Sequence, residues 1–362
     1  RLPPTSAPVS EAEVGEGRTA TEPVAGQGIH VEEVTFSSSR QEVTITNAVC
    51  RLYPRIITRI IGPETDAVME HYHFSGPPLV SVDGVIPVNQ AEHSHMDFQL
   101  EEGVGLRWWK LSPQNLTGLV RWQGEYLSLT NISADFYGGA LNGWAAFDFT
   151  QKGGADFQFD AEFKNCALKP FINSFNSKPN KLEGLLDGRL IVEKANSADW
   201  DSWNGRGSAS ITNGLIWDIP IFGLFSDLLN EVSPGLGNSQ ASRGGGTFTM
   251  TDSVILTDDL EIASPTFQML YKGTIDFNRN LDAVVDMDIL KGWGDVGKAI
   301  NFMATPLRRV FRSSVKGTFE EPELEFVYIP KPFMIFMRPL KTIKDLLKLN
   351  KAAEVNDLEP KE

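Results

Sequence analysis

The sequence has little cysteine, fewer basic than acidic residues, and no long apolar run. Its two cysteines, Cys50 and Cys166, are too few for a disulfide framework or a zinc cluster, and they leave the cellular compartment undecided. Lys and Arg number 33 against 47 Asp and Glu, and the resulting net charge of −14 disfavours a nucleic-acid partner. Neither a secretory signal nor an apolar run long enough to span a bilayer is recognisable.

What the sequence does contain favours β-structure. Apolar residues make up 41% of the chain, enough for a sizeable core or an apolar groove, and the 22 phenylalanines are typical of strands. The 32 glycines and 21 prolines supply turns between strands. This composition predicts an all-β protein. The alternation, turns and helical spacing along the chain extend this to a mainly antiparallel all-β fold with a few short helices, built from repeated β-meander units.

Period-two alternation of apolar residues recurs along the chain. Leu127 and Leu129 alternate with polar neighbours, and Phe147 and Phe149 are separated by a glycine-containing turn at 151–154 from another phenylalanine set. Such alternation places each set on one face of a strand, and the turn predicts a hairpin. The phenylalanines after the turn are Phe157, Phe159 and Phe163.

The clearest alternation lies between residues 267 and 289. Two apolar sets flank a turn at 278–280, while Asp282, Asp286 and Asp288 occupy the intervening positions of the second strand. This pattern predicts two strands with one apolar face, and it places the three aspartates on the opposite, wet face. The apolar sets are Phe267, Met269, Tyr271, Ile275, Phe277 and then Leu281, Ala283, Val285, Met287, Ile289.

Three segments have helical spacing instead. The first begins at Pro220 and ends before Pro234 and Gly235. The second places Val296, Ile300, Met303, Leu307 and Phe311 on one stripe. The third is a basic amphipathic helix within 331–351, and residues 1–28 and 352–362 are expected to be a disordered linker and a disordered tail.

A glycine-rich segment at 292–299 (GWGDVGKA) matches the spacing of a dinucleotide-binding loop. A nucleotide interpretation is disfavoured because Asp295 would bring negative charge towards a phosphate, and Ala299 lacks the hydroxyl that a P-loop places on magnesium. A dinucleotide-binding strand is also buried on both faces, whereas the preceding strand is amphipathic. The segment is therefore interpreted as a strand-to-helix turn.

Two histidine pairs offer a metal-site hypothesis. His71 with His73, and His93 with His95, would each share one face of a strand, and four imidazoles could bind zinc, copper or nickel if the strands paired. Because nothing in the sequence pairs these strands, histidines on a polar face are the simpler interpretation. Acidic pairs such as Asp258 and Asp259 are interpreted as solvated charges, so no catalytic residue is assigned.

Several segments resemble the C-terminal region of the AsmA-like family of bacterial envelope proteins, relatives of TamB. The similarity extends over about 184–330, with a looser likeness over 74–183 that includes 137–143 (YGGALNG). It divides the chain into repeated strand units at 29–183 and an AsmA-like region at 184–330. The matching segments are 214–220 (GLIWDIP), 260–265 (LEIASP), 272–277 (KGTIDF), 281–285 (LDAVV) and 315–322 (VKGTFEEP).

The resemblance implies an elongated, curved sheet whose concave face is an apolar groove for phospholipid acyl chains. It implies a non-enzymatic role, without a cofactor, in lipid transport between the inner and outer membranes and in outer-membrane biogenesis. It also implies a periplasmic location, with an inner-membrane anchor expected upstream of Arg1. Phospholipids, and either an envelope protein or an anionic membrane surface, are the expected partners.

Two sets of site candidates follow. The lipid-groove candidates are Phe147, Phe149, Phe157, Phe159, Phe163, Phe267, Met269, Tyr271, Ile275, Phe277, Leu281, Val285, Met287 and Ile289. The membrane-surface candidates lie on the basic helix, which could instead cap the end of the sheet: Phe336, Leu340, Lys341, Ile343, Lys344, Leu347 and Lys348.

One structural alternative remains open at this point. Apolar stripes most often form the closed core of a sandwich, because core burial is the default use of such faces. A structural or assembly protein of the envelope, with a closed β-core and a protein partner, is therefore the alternative to lipid transport.

Overall fold

A computed structural model describes most of the chain between residues 28 and 328. The described residues are 28–51, 53–61, 66, 69–70, 72–90, 93–150, 154–175, 178–232, 235–289 and 311–328. The predicted linker up to residue 27, most of the second predicted helix, the glycine-rich segment, the tail and the basic helix with all seven of its candidates lie outside them. Gly28, the last residue assigned to the linker, instead begins the first strand.

Sixteen of the strands form one sheet, and each strand in it pairs with the next along the sheet in antiparallel orientation. β3 and β6, which are distant in the chain, form a second, two-stranded antiparallel sheet. The strands are β1 Gly28–Ser37, β2 Glu42–Arg51, β3 Tyr72–Phe74, β4 Leu79–Pro87, β5 His95–Val104, β6 Leu106–Trp108, β7 Gln114–Gln123, β8 Tyr126–Phe136, β9 Gly139–Asp148, β10 Asp156–Ala167, β11 Glu183–Asn196, β12 Asp199–Leu215, β13 Ala241–Thr251, β14 Val254–Ala263, β15 Phe267–Asp276, β16 Asn280–Ile289, β17 Phe311–Thr318 and β18 Pro322–Tyr328.

The large sheet is open, with β1 and β18 as its edges, and its strand order follows the chain. At about 4.8 Å between strands, sixteen strands extend roughly 70 Å, about twice the length of a ten-residue strand. The prediction of an elongated, mainly antiparallel sheet is confirmed, and the sandwich alternative is wrong for the described residues. The sheet is continuous past residue 183, where β11 begins.

Five asparagines with left-handed backbone lie at register shifts between neighbouring strands. Asparagine tolerates this conformation better than most residues, and an extra residue at a bulge bends a strand and increases its twist. At two of them a neighbouring aspartate accepts the backbone N–H, as Asp83 does from Asn47 at 2.8 Å. These repeated bulges give an open sheet of this width the curvature it needs. They are Asn47, Asn115, Asn131, Asn165 and Asn213.

Three α-helices occur among the described residues: α1 Pro54–Ile61, α2 Leu168–Phe175 and α3 Pro220–Val232. Helix α3 is the first predicted helix and is confirmed. Of the described helices, none has the length and apolar character that crossing a membrane requires.

The second predicted helix is wrong at its last position, Phe311. Phe311 begins strand β17 and lies opposite Met287 of β16. The residues after Phe311 alternate between buried and partly exposed positions, and this period-two pattern with cross-strand pairing prevails over the helical spacing from the preceding segment.

Candidate functional site

The register of the large sheet places its apolar side chains on a single face, here called the apolar face. Across β7 to β10, Trp122 lies opposite Leu127, Leu127 opposite Phe147, and Phe147 opposite Phe157. A second row beside it joins Val120, Leu129, Ala145 and Phe159 in the same way. These eight residues are called the open segment.

Every side chain of the open segment is half-buried. Neighbours within the sheet cover its flanks, but none of the described helices packs over it. Helix α2 instead packs against β10 and β11 near Phe163 and Phe136, closer to the ends of those strands. The open segment is therefore an apolar surface that remains accessible in the described part of the chain.

Aromatic rings connect the open segment to its surroundings. Phe147 and Phe157 have ring centroids 5.7 Å apart, and Phe149 stacks on Trp122 at 5.8 Å. On the other side Trp203 contacts Phe157 edge-on at 5.2 Å. Aromatic contacts of this kind hold the rings in defined positions, so the surface is preorganised.

Glycines next to these rings leave the backbone of the sheet uncovered by side chains. Gly188 lies opposite Phe163, and Gly207 lies opposite Phe248. A methyl group on either glycine would collide with the ring of its partner, so the rings lie directly over backbone. The apolar face is consequently shallow across β11 to β13.

The same face is fully covered further along the sheet. Ile262 lies opposite Met269, Met269 opposite Met287, and Met287 opposite Phe311, all with at most 1% of their surface exposed. This part of the face belongs to the main hydrophobic core together with helix α3. The covered segment consists of Ile262, Phe267, Met269, Tyr271, Val285, Met287 and Phe311.

Helix α3 covers this segment through three kinds of contact. Phe222 and Phe225 approach the Tyr271 ring edge-on at 5.4 and 6.1 Å, and the Tyr271 hydroxyl donates to the Ile221 carbonyl at 3.4 Å. Before the helix, Trp217 packs on Phe267 at 5.6 Å. Burial raises the pKa of the Tyr271 hydroxyl well above its usual value, which is consistent with a site closed to water.

The lipid-groove candidates with described side chains lie in or beside the open segment, in the covered segment, or at half-buried positions outside both. Phe147, Phe157 and Phe159 belong to the open segment, with Phe149 and Phe163 beside it. Ile275 and Leu281 are half-buried partners on β15 and β16, and Phe277 contacts Trp200 beyond the end of β15. Ile289 ends β16, and its side chain is outside the described set. The candidates beneath α3 are Phe267, Met269, Tyr271, Val285 and Met287.

Two tryptophans of this surface were not predicted from the sequence. Trp122 shares the parity of Val120, so the alternation could have identified it. The next two residues on the same face of the strand as Trp203 are Gly205 and Gly207, so no alternation of apolar side chains marks this face in the sequence. The position of Trp203 depends on the register of β12 rather than on local pattern.

The opposite, polar face carries cross-strand ion pairs. Arg121 donates two hydrogen bonds to Asp97, both at 2.8 Å, and Arg189 likewise binds both carboxylate oxygens of Asp160. In each case the guanidinium lowers the pKa of the carboxyl, because its hydrogen bonds favour the charged form.

One aspartate on this polar face contradicts the sequence-based expectation. Asp282 is exposed as predicted, but Asp286 is buried, with only 9% of its surface accessible. It lies directly opposite Arg312, whose guanidinium binds both carboxylate oxygens at 2.7 and 3.0 Å. The assignment of Asp286 to a wet surface was therefore wrong, because the pairing arginine excludes water from it.

A depression of about 430 Å³ also lies on the polar face, across β11 to β14. Its two arginines, Arg189 and Arg206, form ion pairs with Asp160 and Glu193. These carboxylates already satisfy the basic groups of the depression, so it is a weaker candidate site than the apolar face.

The residues suited to catalysis or metal binding are dispersed. Cys50 and Cys166 are both free and buried, and burial raises the pKa of the Cys166 thiol to about 11, so it remains protonated near neutral pH. His73 lies on β3 and His95 on β5, in different sheets. Within the described ranges, no three His, Cys, Asp or Glu side chains form a group that could hold a metal ion.

Comparisons of the chain with known protein families, with curated proteins and with solved structures gave no match. The chain's own residues and the geometry of the apolar face are therefore the features that indicate a function.

Proposed function

We propose that the chain is a non-enzymatic lipid-handling segment of a bacterial cell-envelope protein. In this role its apolar face shields phospholipid acyl chains during transport between the inner and outer membranes and supports outer-membrane biogenesis. The observation that supports the proposal is the open segment: two rows of apolar side chains that cross four strands and remain accessible. Large accessible apolar patches commonly mark binding surfaces.

The dimensions of the open segment suit an acyl chain. Strands β7 to β10 cover about 15 Å across the sheet, similar to one leaflet of a hydrocarbon core that is about 30 Å thick. Acyl chains lying across the strands would contact Trp122, Leu127, Phe147 and Phe157 in succession, while the phosphate stays in water beyond the edge of the open segment.

Binding of this kind needs no single essential residue. Each methylene removed from water contributes about 0.8 kcal/mol, so affinity is distributed over many weak contacts. A lipid could move along such a surface without covalent chemistry, because neighbouring apolar rows are equivalent partners. Introducing a charge is the change that should interrupt it, because a charge in contact with an acyl chain loses its hydration.

The test is phospholipid content of the purified full chain, measured by lipid mass spectrometry. Phe159→Asp should lower the amount of co-purifying phospholipid severalfold. The matched control is Gln158→Asp, which introduces the same charge at the adjacent, exposed position on the opposite face of β10.

The two variants separate a groove effect from a general effect of charge. Loss of lipid in Phe159→Asp alone supports the proposal. Equal lipid content in wild type and Phe159→Asp, or a wild-type chain that carries no lipid, contradicts it.

The alternative function, a structural or assembly protein of the envelope with a closed β-core, has one observation in its favour. Although the described strands do not form a sandwich, helix α3 covers the covered segment completely, so that part of the apolar face is a filled core. A stable, lipid-free wild-type chain would favour this alternative.

A further inference from the structure

An exposed tryptophan lies in a tight turn directly after β6. Trp108 and Leu111 exchange two backbone hydrogen bonds of 3.0 and 2.9 Å, and Trp109 between them has a left-handed φ of 52°. Glycine is the usual residue at such a position, and a bulky side chain there is strained. Trp109 nevertheless exposes 64% of its surface, so burial of the side chain does not offset the strain.

Trp109 belongs to a group of aromatic side chains, here called the aromatic rim, of which Tyr72 is half-buried. Phe175 at the end of α2 contacts Trp109 edge-on at 5.6 Å, and Tyr72 stacks on Trp108 at 6.3 Å. Trp108 and Phe175 are also exposed. The rim consists of Tyr72, Trp108, Trp109 and Phe175.

The two chain segments that form most of the aromatic rim are rich in basic residues. The two segments that meet there, 103–124 and 163–182, contain seven Lys and Arg but neither Asp nor Glu, although the chain has a net charge of −14. Two of the seven, Arg121 and Lys164, form ion pairs with Asp97 and Glu162. Lys110 joins them, because its ammonium donates to the Phe175 carbonyl at 3.3 Å and lies 5.7 Å from the Trp109 ring centroid. Such a surface is complementary to an anionic partner.

A path of aromatic rings joins the rim to the apolar face. Trp109 contacts Phe175, Phe175 contacts Phe171 at 5.3 Å, and Phe171 contacts Phe163 at 6.2 Å. Phe163 lies on β10, the strand that carries Phe157 and Phe159 of the open segment. The rim is therefore continuous with the surface proposed for acyl chains.

We propose that the aromatic rim docks on the headgroup region of a lipid bilayer that contains anionic lipids, with Trp109 inserted at the interface. Tryptophan favours this region because one end of its ring system is apolar and the other is polar, and nearby basic side chains are attracted to anionic headgroups. The aromatic path to the open segment bears on lipid transfer only if the proposed function is correct. Docking on a bilayer does not depend on that function and can be measured separately.

The test is cosedimentation of the full chain with vesicles of phosphatidylcholine containing about one third phosphatidylglycerol, and with phosphatidylcholine alone. The wild-type chain should bind the anionic vesicles more strongly, and Trp109→Gly should reduce that binding about tenfold. Because glycine relieves the strained turn, the Tm of Trp109→Gly should equal or exceed that of the wild type.

Two controls make the test specific. Trp144→Thr removes an indole that is 42% exposed on the polar face of β9 and should bind vesicles as the wild type does. The basic helix predicted from the sequence could also bind vesicles, so Trp109→Gly is compared both in the wild-type chain and in a chain with Lys341→Gln, Lys344→Gln and Lys348→Gln. The reduction should appear in both.

Wild-type-like vesicle binding by Trp109→Gly in both backgrounds would overturn the proposal. A wild-type chain that binds neither vesicle type would also overturn it and would point to a protein partner for the rim. Phe159→Asp should bind vesicles normally while lacking co-purified lipid. If Phe159→Asp instead keeps its lipid and binds vesicles, the proposed function fails while the docking proposal stands.

Discussion

The open segment and the covered segment are two parts of one apolar face with opposite environments. Both are built from alternating aliphatic and aromatic side chains on antiparallel strands, and both have a polar face with Asp–Arg pairs behind them. Side chains of the first are half-buried, whereas those of the second have at most 4% of their surface exposed. Helix α3, which lies over the second segment, accounts for the difference.

This comparison shows that alternation defines a face but not what covers it. Within a sheet, side chains bury one another only from the sides, so a single sheet leaves its apolar rows partly accessible. Over the covered segment α3 supplies a second layer above β14 to β17. A separate buried cluster of Val192, Ala195 and Met250, which contains no residue of α3, lies beside Phe157 and Phe159. A lipid that reached Met287 or Tyr271 would have to displace this helix.

Introducing a charged side chain should give the largest difference in stability between the two segments. Met287→Asp places a carboxylate in the covered segment without a partner, and we expect a loss of at least about 4 kcal/mol in the free energy of unfolding. Phe159→Asp can keep its carboxylate hydrated and should cost about 1–2 kcal/mol. Urea denaturation of both variants measures the difference. Equal losses would mean that the open segment is covered in solution.

Truncation of aromatic side chains should give a smaller contrast. Phe225 of α3 is fully buried, and Phe225→Ala should reduce the free energy of unfolding by about 3–5 kcal/mol, because a cavity remains beneath the helix. Phe157→Ala in the open segment should cost only about 1–2 kcal/mol, because its ring is already half-exposed. Thermal denaturation followed by circular dichroism tests the ranking, and a reversal would contradict the assignment of open and covered segments.

The ion pairs of the polar face should produce the smallest effect. Arg189 lowers the pKa of Asp160 below its value in the unfolded chain, so the pair's contribution to stability is present above about pH 4 and is lost as the pH falls through the folded-state pKa. Asp160→Asn should lower the free energy of unfolding by about 0.5 kcal/mol at pH 7, because the pair is partly exposed.

Stability measured across the acid range checks this prediction. The loss in Asp160→Asn relative to wild type should shrink below pH 4, where wild-type Asp160 is itself becoming protonated. A difference that is constant from pH 7 to pH 2 would show that the carboxylate charge is not responsible.

Much of the sheet was predictable because its signals are local. The alternation around 267–289 predicted β15 and β16, and helix α3 follows from Pro220 and the helical spacing after it. Helices α1 and α2 were missed because each has only eight residues, too few for a clear helical period. Proline within the first turn, at Pro54 and Pro170, was the signal that could have identified them.

Other features could not be predicted because they depend on neighbours distant in sequence. The burial of Asp286 depends on Arg312, which only strand pairing brings opposite it. The aromatic rim joins the turn after β6 to the end of α2, two segments that are about 65 residues apart in sequence. Local periodicity carries no information about such contacts.

The sequence by itself determined a one-sided antiparallel sheet, because a period of two residues places apolar side chains on one face whatever lies above it. Tertiary structure alone decided which part of that face is open. The chain between β12 and β13 folds back as α3 over β14 to β17, and this packing leaves the rows of β7 to β10 accessible. The physical reason is that burial depends on which surfaces meet in space, and those surfaces come from segments far apart in the chain.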